Sequence, residues 1–233
     1  MDKARHIGIV ACSAEGAALC YRTICMEAPA RMGPHWHPQL SLHGHPVGEY
    51  LPCLERDDWQ GVGELMLSSA NKLAAMGAEL AICPDNTIHQ AFDYVAKRSP
   101  IPWLHIAEVV ADEAEARGYR RLAILGTRFL MTGPVYPQVL ERRGIAWQIP
   151  DETDRAMVDA VIFEELVPGL VREASRNAFI GLIEKLAEQG CDAVVLGCTE
   201  IPLLISPDDS PLPVLDSTRL LARAALAAAL RVD

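Results

Sequence analysis

The chain has 233 residues, half of them hydrophobic and 22% charged, and carries a formal charge of −10. That length allows ample core for one large domain or two small ones, and the balance is that of an ordinary soluble globular protein. No basic surplus exists to neutralise phosphates, which excludes nucleic acid as the partner but leaves a small anionic ligand open, since such a ligand reads local charge.

Seven cysteines, at positions 12, 20, 25, 53, 83, 191 and 198, form no CxxC pair and no zinc spacing. Their odd number and their place in apolar runs suggest reduced thiols in a cytoplasmic protein. Lys3 and Arg5 precede the apolar run Ile7 to Cys12, but Glu15 and Tyr21-Arg22 interrupt the stretch beyond it, so no signal peptide is read there. No apolar run approaches the roughly 20 residues of a membrane span.

Ile7 to Cys12 reads as a first strand ending in the turn-prone Ser13-Ala-Glu-Gly16, with a helix from about Ala17 to Glu27 behind it. Leu40 to His45 looks like a second strand and Trp59 to Met76 a helix. Leu80 to Cys83 is a third strand, tipped by Pro84-Asp85-Asn86-Thr87 and followed by a helix over about His89 to Lys97. Ile101 to Ile106 is expected as a fourth strand, and Ala107 to Arg117 as a helix stopped by Gly118. The pattern then restarts with a strand from Arg121, ending at Gly126-Thr127. A helix over about Thr132 to Arg143 comes next, then a strand Ile145 to Ile149 and a helix over Asp151 to Ile162. Asn177 to Gln189 leads as a helix into the buried strand Ala193 to Leu196. Pro213 to Leu215 is a last short strand, and Ser217 caps an alanine-rich terminal helix.

Strands alternating with helices at these lengths mean parallel sheets. The expected fold class is α/β, with two similar lobes, each a mainly parallel four-stranded sheet, related by a pseudo-two-fold duplication. The first lobe takes residues 1–115 plus 213–233, with the terminal helix packed on it, and the second takes 116–212. Two stretches carry the duplication. Gly77-Ala-Glu-Leu-Ala-Ile-Cys-Pro-Asp85 and Gly190-Cys-Asp-Ala-Val-Val-Leu-Gly-Cys198 share a glycine, an acid two residues on, an apolar strand and a turn. Superposed, they put Asp85 on Cys198. Ligands of open α/β sheets bind at the C-terminal strand tips, so the active site is expected in a cleft between the lobes lined by the tips at 12–13, 85–87, 127–128 and 198–200.

Two proton-active groups, Cys198 and Asp85, suit removal of a proton from a weak carbon acid and its return to the other face. Asn86, Thr87 and Thr199, with the backbone N–H groups of the turns, are candidates to hold a carboxylate as charge develops. Ser13 and Glu200 join them as neighbours of the two tips. Nothing resembles a phosphate-cradling glycine loop, so no nucleotide is inferred.

These residues resemble the cofactor-independent aspartate/glutamate racemases over nearly the whole chain. The matching motifs are Leu196-Gly-Cys-Thr-Glu-Ile-Pro202, Asn86-Thr87-Ile88-His89, Gly126-Thr127-Arg128-Phe129 with Met131-Thr132, and Pro150-Asp151-Glu152 with Asp154-Arg155. Phe163-Glu-Glu-Leu166 and Ser175-Arg176 match as well. The resemblance implies two homologous lobes, a pocket between them, no pyridoxal phosphate and a homodimer. The apolar alanine- and leucine-rich terminal helix points the same way, toward a closed two-fold pair. The resemblance also implies that Asn86, Thr87, Thr127 and Thr199 hold the substrate carboxylate and ammonium groups. The chain departs from the pattern at Asp85, where most members carry Cys and some Thr. It also lacks the basic residues used by aspartate-specific members, offering His45-Pro46-Val47 and Pro168 instead.

Plainer roles stand beside these. Asp85 suits a helix cap, His89 a structural role, and Cys12, Cys83 and Cys191 the core. His35, His37, His43 and His45 form two H-x-H pairs that would put both imidazoles of a pair on one face of a strand. They read as pocket wall or loop, and no metal site is assigned. Two alternatives to the racemase remain. One is single-cysteine decarboxylase or isomerase chemistry on the same scaffold, as in the arylmalonate decarboxylases. The other is a non-catalytic protein that binds a small acid.

Overall fold

The computed structural model describes residues 4–231. They divide into two compact units, the residues up to Val109 together with those from Thr218 onward, and Val110–Ser217.

In the first unit, β1 (Ile7–Ala11) is buried along its whole length, as a central parallel strand is. Behind it come α1 (Ala14–Glu27), the short α2 (Pro29–Met32) and β2 (Leu40–Gly44). Next are α3 (Val47–Glu55), α4 (Trp59–Ala75) and β3 (Leu80–Ile82). The sheet order is β2-β1-β3, all parallel, with Ile7 opposite both Leu40 and Leu80. Parallel neighbours need crossover connections, and the helices between the strands supply them. A 3₁₀ turn (Thr87–Ala91), α5 (Phe92–Ala96) and α6 (Ile106–Arg117) come after β3.

The fourth strand expected over Ile101 to Ile106 is reduced to one bridge, Ala81 to Trp103. Pro100 and Pro102 explain the loss, because a proline nitrogen cannot donate to the ladder. The first sheet therefore has three strands. α3 was not anticipated; Pro52 inside it and the lack of a capping side chain hide it from pattern reading.

The second unit holds β4 (Arg121–Leu125), α7 (Arg128–Thr132), α8 (Val135–Arg142), β5 (Ala146–Gln148) and α9 (Glu152–Val161). A π-helical turn (Ile162–Leu166) leads to α10 (Glu173–Glu188), β6 (Ala193–Leu196), α11 (Ile201–Leu204) and β7 (Val214–Asp216). The order is β5-β4-β6-β7, again parallel throughout. β7 pairs with β6, Val214 opposite Val194, so residues 213–217 go with the second sheet and not, as their sequence position suggests, with the terminal helix. That helix, α12 (Ser217–Ala229), closes the chain.

Each unit has its own core. In the second, Leu125, Phe179, Ile183 and Leu196 form one cluster with Cys198 at its edge. In the first, β1 separates two clusters: Ile7 and Ile9 meet α1 and α12, while Val10 faces α4. The apolar stripe of α12, a reason to expect a dimer from the sequence, is spent here. Leu221, Ala222, Ala225 and Leu226 are buried against Ile7, Ile24 and Leu80.

The duplicated stretch recurs in three dimensions. α4 and α10 both end before a glycine in the left-handed region, Gly77 at φ 90° and Gly190 at φ 92°, where a side chain would be strained. Two residues on, Glu79 accepts the His6 N–H (2.8 Å), and Asp192 accepts those of Arg120 and Arg121 (2.7 and 3.0 Å). The acid thus pins the start of the neighbouring strand in both units.

Candidate active site

In the first unit the tips of β1 and β3 are tied together by Asp85. Its carboxylate accepts the N–H of Cys12 and that of Ser13, one on each oxygen and both at 3.1 Å. Both oxygens act as acceptors, as in the ionised form. The bond therefore runs to the β1–α1 turn, whereas a helix cap would reach N–H groups further along its own segment; the 3₁₀ turn after Asp85 has no side-chain cap. Ser13 is the N-cap of α1, its hydroxyl accepting from Gly16 N–H at 3.2 Å. Asn86 is buried, and Thr87, which opens the 3₁₀ turn, is half-buried.

His89 is fully enclosed, and its ring is locked in one tautomer. Nε2 accepts the Ile106 N–H (3.3 Å), which leaves Nδ1 to donate to the Asp85 carbonyl (3.0 Å). Burial, helped by His105, lowers its pKa to about 3, so the ring is neutral at ordinary pH. It fastens the Asp85 turn to the start of α6, a structural duty rather than proton relay.

Of the two H-x-H pairs, His43 and His45 settle into hydrogen bonds with α3 and α4. His43 Nδ1 meets Ser69 Oγ at 2.9 Å while Lys72 donates to Nε2 at 3.0 Å. Burial, Lys72 and His45 hold its pKa below the usual value. His45 bonds Ser68 and Glu49, both at 3.1 Å, and His37 meets the Pro38 carbonyl. Among the described residues no group of three or more His, Cys, Asp or Glu is placed to hold a metal ion.

In the second unit Gly126 and Gly197 let the tips of β4 and β6 close on each other. A Cβ on Gly197 would lie 2.4 Å from Leu130 Cδ2 and 2.9 Å from the Leu125 carbonyl. Directly after it the Cys198 thiol donates to Glu200 Oε2 (2.9 Å), and the Thr199 hydroxyl donates to the same oxygen (2.7 Å). All three residues are at least nine-tenths buried. A buried carboxylate with two donors is satisfied, and it holds the thiol in one orientation. Thr127 is the N-cap of α7, its hydroxyl accepting from Leu130 N–H at 3.3 Å.

The structure thus brings Ser13 and Asp85 together, and Cys198, Thr199 and Glu200 together. Two groups escaped sequence reasoning. Asp159 on α9 accepts the Arg128 N–H at the β4 tip (2.8 Å), the counterpart of Asp85 on Ser13; an acid inside an amphipathic helix carries no signal for that contact. Tyr50, buried on α3, was missed with its helix.

The family description Asp/Glu/Hydantoin racemase matches residues 7–225. A Yersinia pestis structure of Asp/Glu racemase type is 33% identical, with TM-score 0.90 over 97% of this chain and 100% of that one. An aspartate racemase homologue from Pyrococcus horikoshii is 27% identical, with TM-score 0.85 over 99% and 100%. The broad specificity amino-acid racemase RacX of Bacillus subtilis is 22% identical over 188 residues, 80% of each chain. The fold, with its two parallel sheets, is that of racemases, a class of isomerase. The chain belongs to the Asp/Glu/Hydantoin racemase family.

Proposed function

We propose that the protein is a cofactor-independent amino-acid racemase or epimerase in which Cys198 transfers the α-proton and Asp85 is the second proton-active group. The carrying observation is the Cys198 thiol fixed on Glu200 at the β6 tip, beside the Thr199 hydroxyl. A thiol is the competent group for such a proton transfer once its thiolate forms, and Glu200 stands where it can take the thiol proton. Ser13, Asn86, Thr87, Thr127 and Thr199 are the proposed carboxylate and ammonium contacts. No pyridoxal phosphate, metal or nucleotide is invoked. The working form is proposed to be a homodimer, on family resemblance alone, and cytoplasmic, on its free thiols.

Exchange of the α-proton in deuterated water, screened over D- and L-amino acids, tests this reading. Wild type should label both enantiomers of its substrate, and Cys198→Ala should cut exchange by more than about 10²-fold with an unchanged circular dichroism spectrum. Full exchange in Cys198→Ala would overturn the role of the thiol.

One observation favours a second reading. Both Asp85 oxygens already hold backbone N–H groups, which fits a turn clamp and chemistry by Cys198 alone, as in a decarboxylase. Release of carbon dioxide with label in one enantiomer only would select it.

A further inference from the structure

Tyr50 is the only fully buried residue of α3, a helix with no side-chain N-cap and with Val47 and Leu51 exposed. The ring is 0% exposed, packed among Val10, Cys83 and Ile88, with Cys12 at the border of that cluster. Its hydroxyl has no hydrogen-bond partner among the described residues. Burying an unpaired hydroxyl costs stability that a phenylalanine in the same place would not, so its presence calls for a partner that arrives from outside.

The surroundings define that partner. The ionisable groups around the phenol are Cys83, Cys12, Asp85 and Glu49. Burial pushes the Cys83 thiol well above its ordinary pKa and keeps it neutral, so the acidic character comes from the carboxyl groups of Asp85 and Glu49. Burial and these neighbours push its pKa far above the ordinary tyrosine value, so it stays neutral and presents oxygen lone pairs. Acidic company and a lone-pair acceptor complement a cation with N–H donors, which among small amino-acid ligands is the α-ammonium group. Cys12, Ser13 and Asp85 are each partly exposed, so the rim of this cluster reaches solvent, and α3 sits over it through Tyr50, with Cys53 and Leu54 partly buried against the same cluster.

We propose that the Tyr50 hydroxyl accepts a hydrogen bond from the α-ammonium group of an amino acid bound at the Asp85 turn, with a small shift of α3 opening the contact. The proposal rests on the reading of this turn as part of the substrate site. It makes Tyr50 a binding residue whose stability cost in the free protein is recovered on the ligand.

The test is Tyr50→Phe, read without and with ligand. Unliganded, the variant should melt at or above the wild-type temperature; a fall of several degrees would show that the hydroxyl already has a structural partner and would overturn the proposal. Binding is then followed by thermal shift and calorimetry with three pairs: aspartate and succinate, glutamate and glutarate, alanine and propionate. Tyr50→Phe should weaken the amine-bearing member of a bound pair about 10- to 100-fold, the loss of one hydrogen bond to a charged group, and leave the partner lacking the amine unchanged. Equal loss for both members, no loss, or no binding of any amine-bearing probe to wild type overturns it. Proton exchange separates the two readings. Exchange in wild type with no effect of Tyr50→Phe on binding sinks the tyrosine and spares the racemase. Amine-selective binding lost in the variant, without exchange in wild type, does the reverse.

Discussion

At the scale of single residues, polar groups at the strand tips are held by one another before any ligand arrives. Asp85 clamps two backbone N–H groups, Glu200 collects a thiol and a hydroxyl, and His89 spans a carbonyl and a helix start. His89 allows a quantitative expectation. Its folded pKa of about 3 lies below the 6.5 of a free imidazole. The unfolded chain therefore binds the proton more readily, and the stability that rests on the neutral ring is whole above pH 6.5 and is lost as pH falls from there toward 3. The slope is about 1.4 kcal/mol per pH unit for one proton. Urea denaturation at pH 7 and pH 5 should show wild type losing about 2 kcal/mol more than His89→Gln over that interval; equal losses would show that another group carries the titration. Sequence alone put Asp85 and Cys198 on turns after buried strands, because that arrangement is a local pattern. It could not see that Asp85 bonds to Cys12 and Ser13, 73 and 72 positions away, since hydrogen-bond partners across a sheet are set by register.

At the scale of elements, the tip of β6 depends on two glycines that replace side chains with close packing. Gly197→Ala puts a methyl group within 2.4 Å of Leu130 Cδ2 and, less forgivably, 2.9 Å from a backbone carbonyl. The expected cost is about 1–3 kcal/mol, measured by denaturation. A larger relative loss of proton exchange should accompany it, because the strain falls on the residue next to Cys198. A fully stable, fully active variant would show that α7 gives way freely. Long periodic helices and the buried strands β1, β4 and β6 were readable from apolar runs. The pieces that were not readable are short or broken by proline: α2, α3 and the strand that shrank to Trp103. There tertiary contacts decide, and composition is silent.

At the scale of the whole molecule, two units repeat one local grammar of helix, left-handed glycine, pinning acid, strand and polar turn. The stripe of α12 no longer argues for a partner subunit, since the first unit consumes it, so the proposed homodimer must use another face. Sedimentation should give about twice the 25.4 kDa chain mass, as a closed two-fold pair would. A mass of 25.4 kDa at every concentration would sink it.

The placement of α12 also bears on how the protein is made. The block Val110–Ser217 is contiguous, and the cluster around Leu125, Phe179, Ile183 and Leu196 is in hand once those residues have been translated. The first unit is different, because Ile7, Ile24 and Leu80 are sealed by Leu221 and Leu226, synthesised some two hundred residues after Ile7. During elongation the β1 and α1 residues of the first unit therefore wait with an apolar face uncovered, while the later block Val110–Ser217 can already fold, inverting the usual N-to-C order of the two units. Chaperone demand should be greatest in that interval, and it ends only when the helix Ser217–Ala229 has cleared the ribosome.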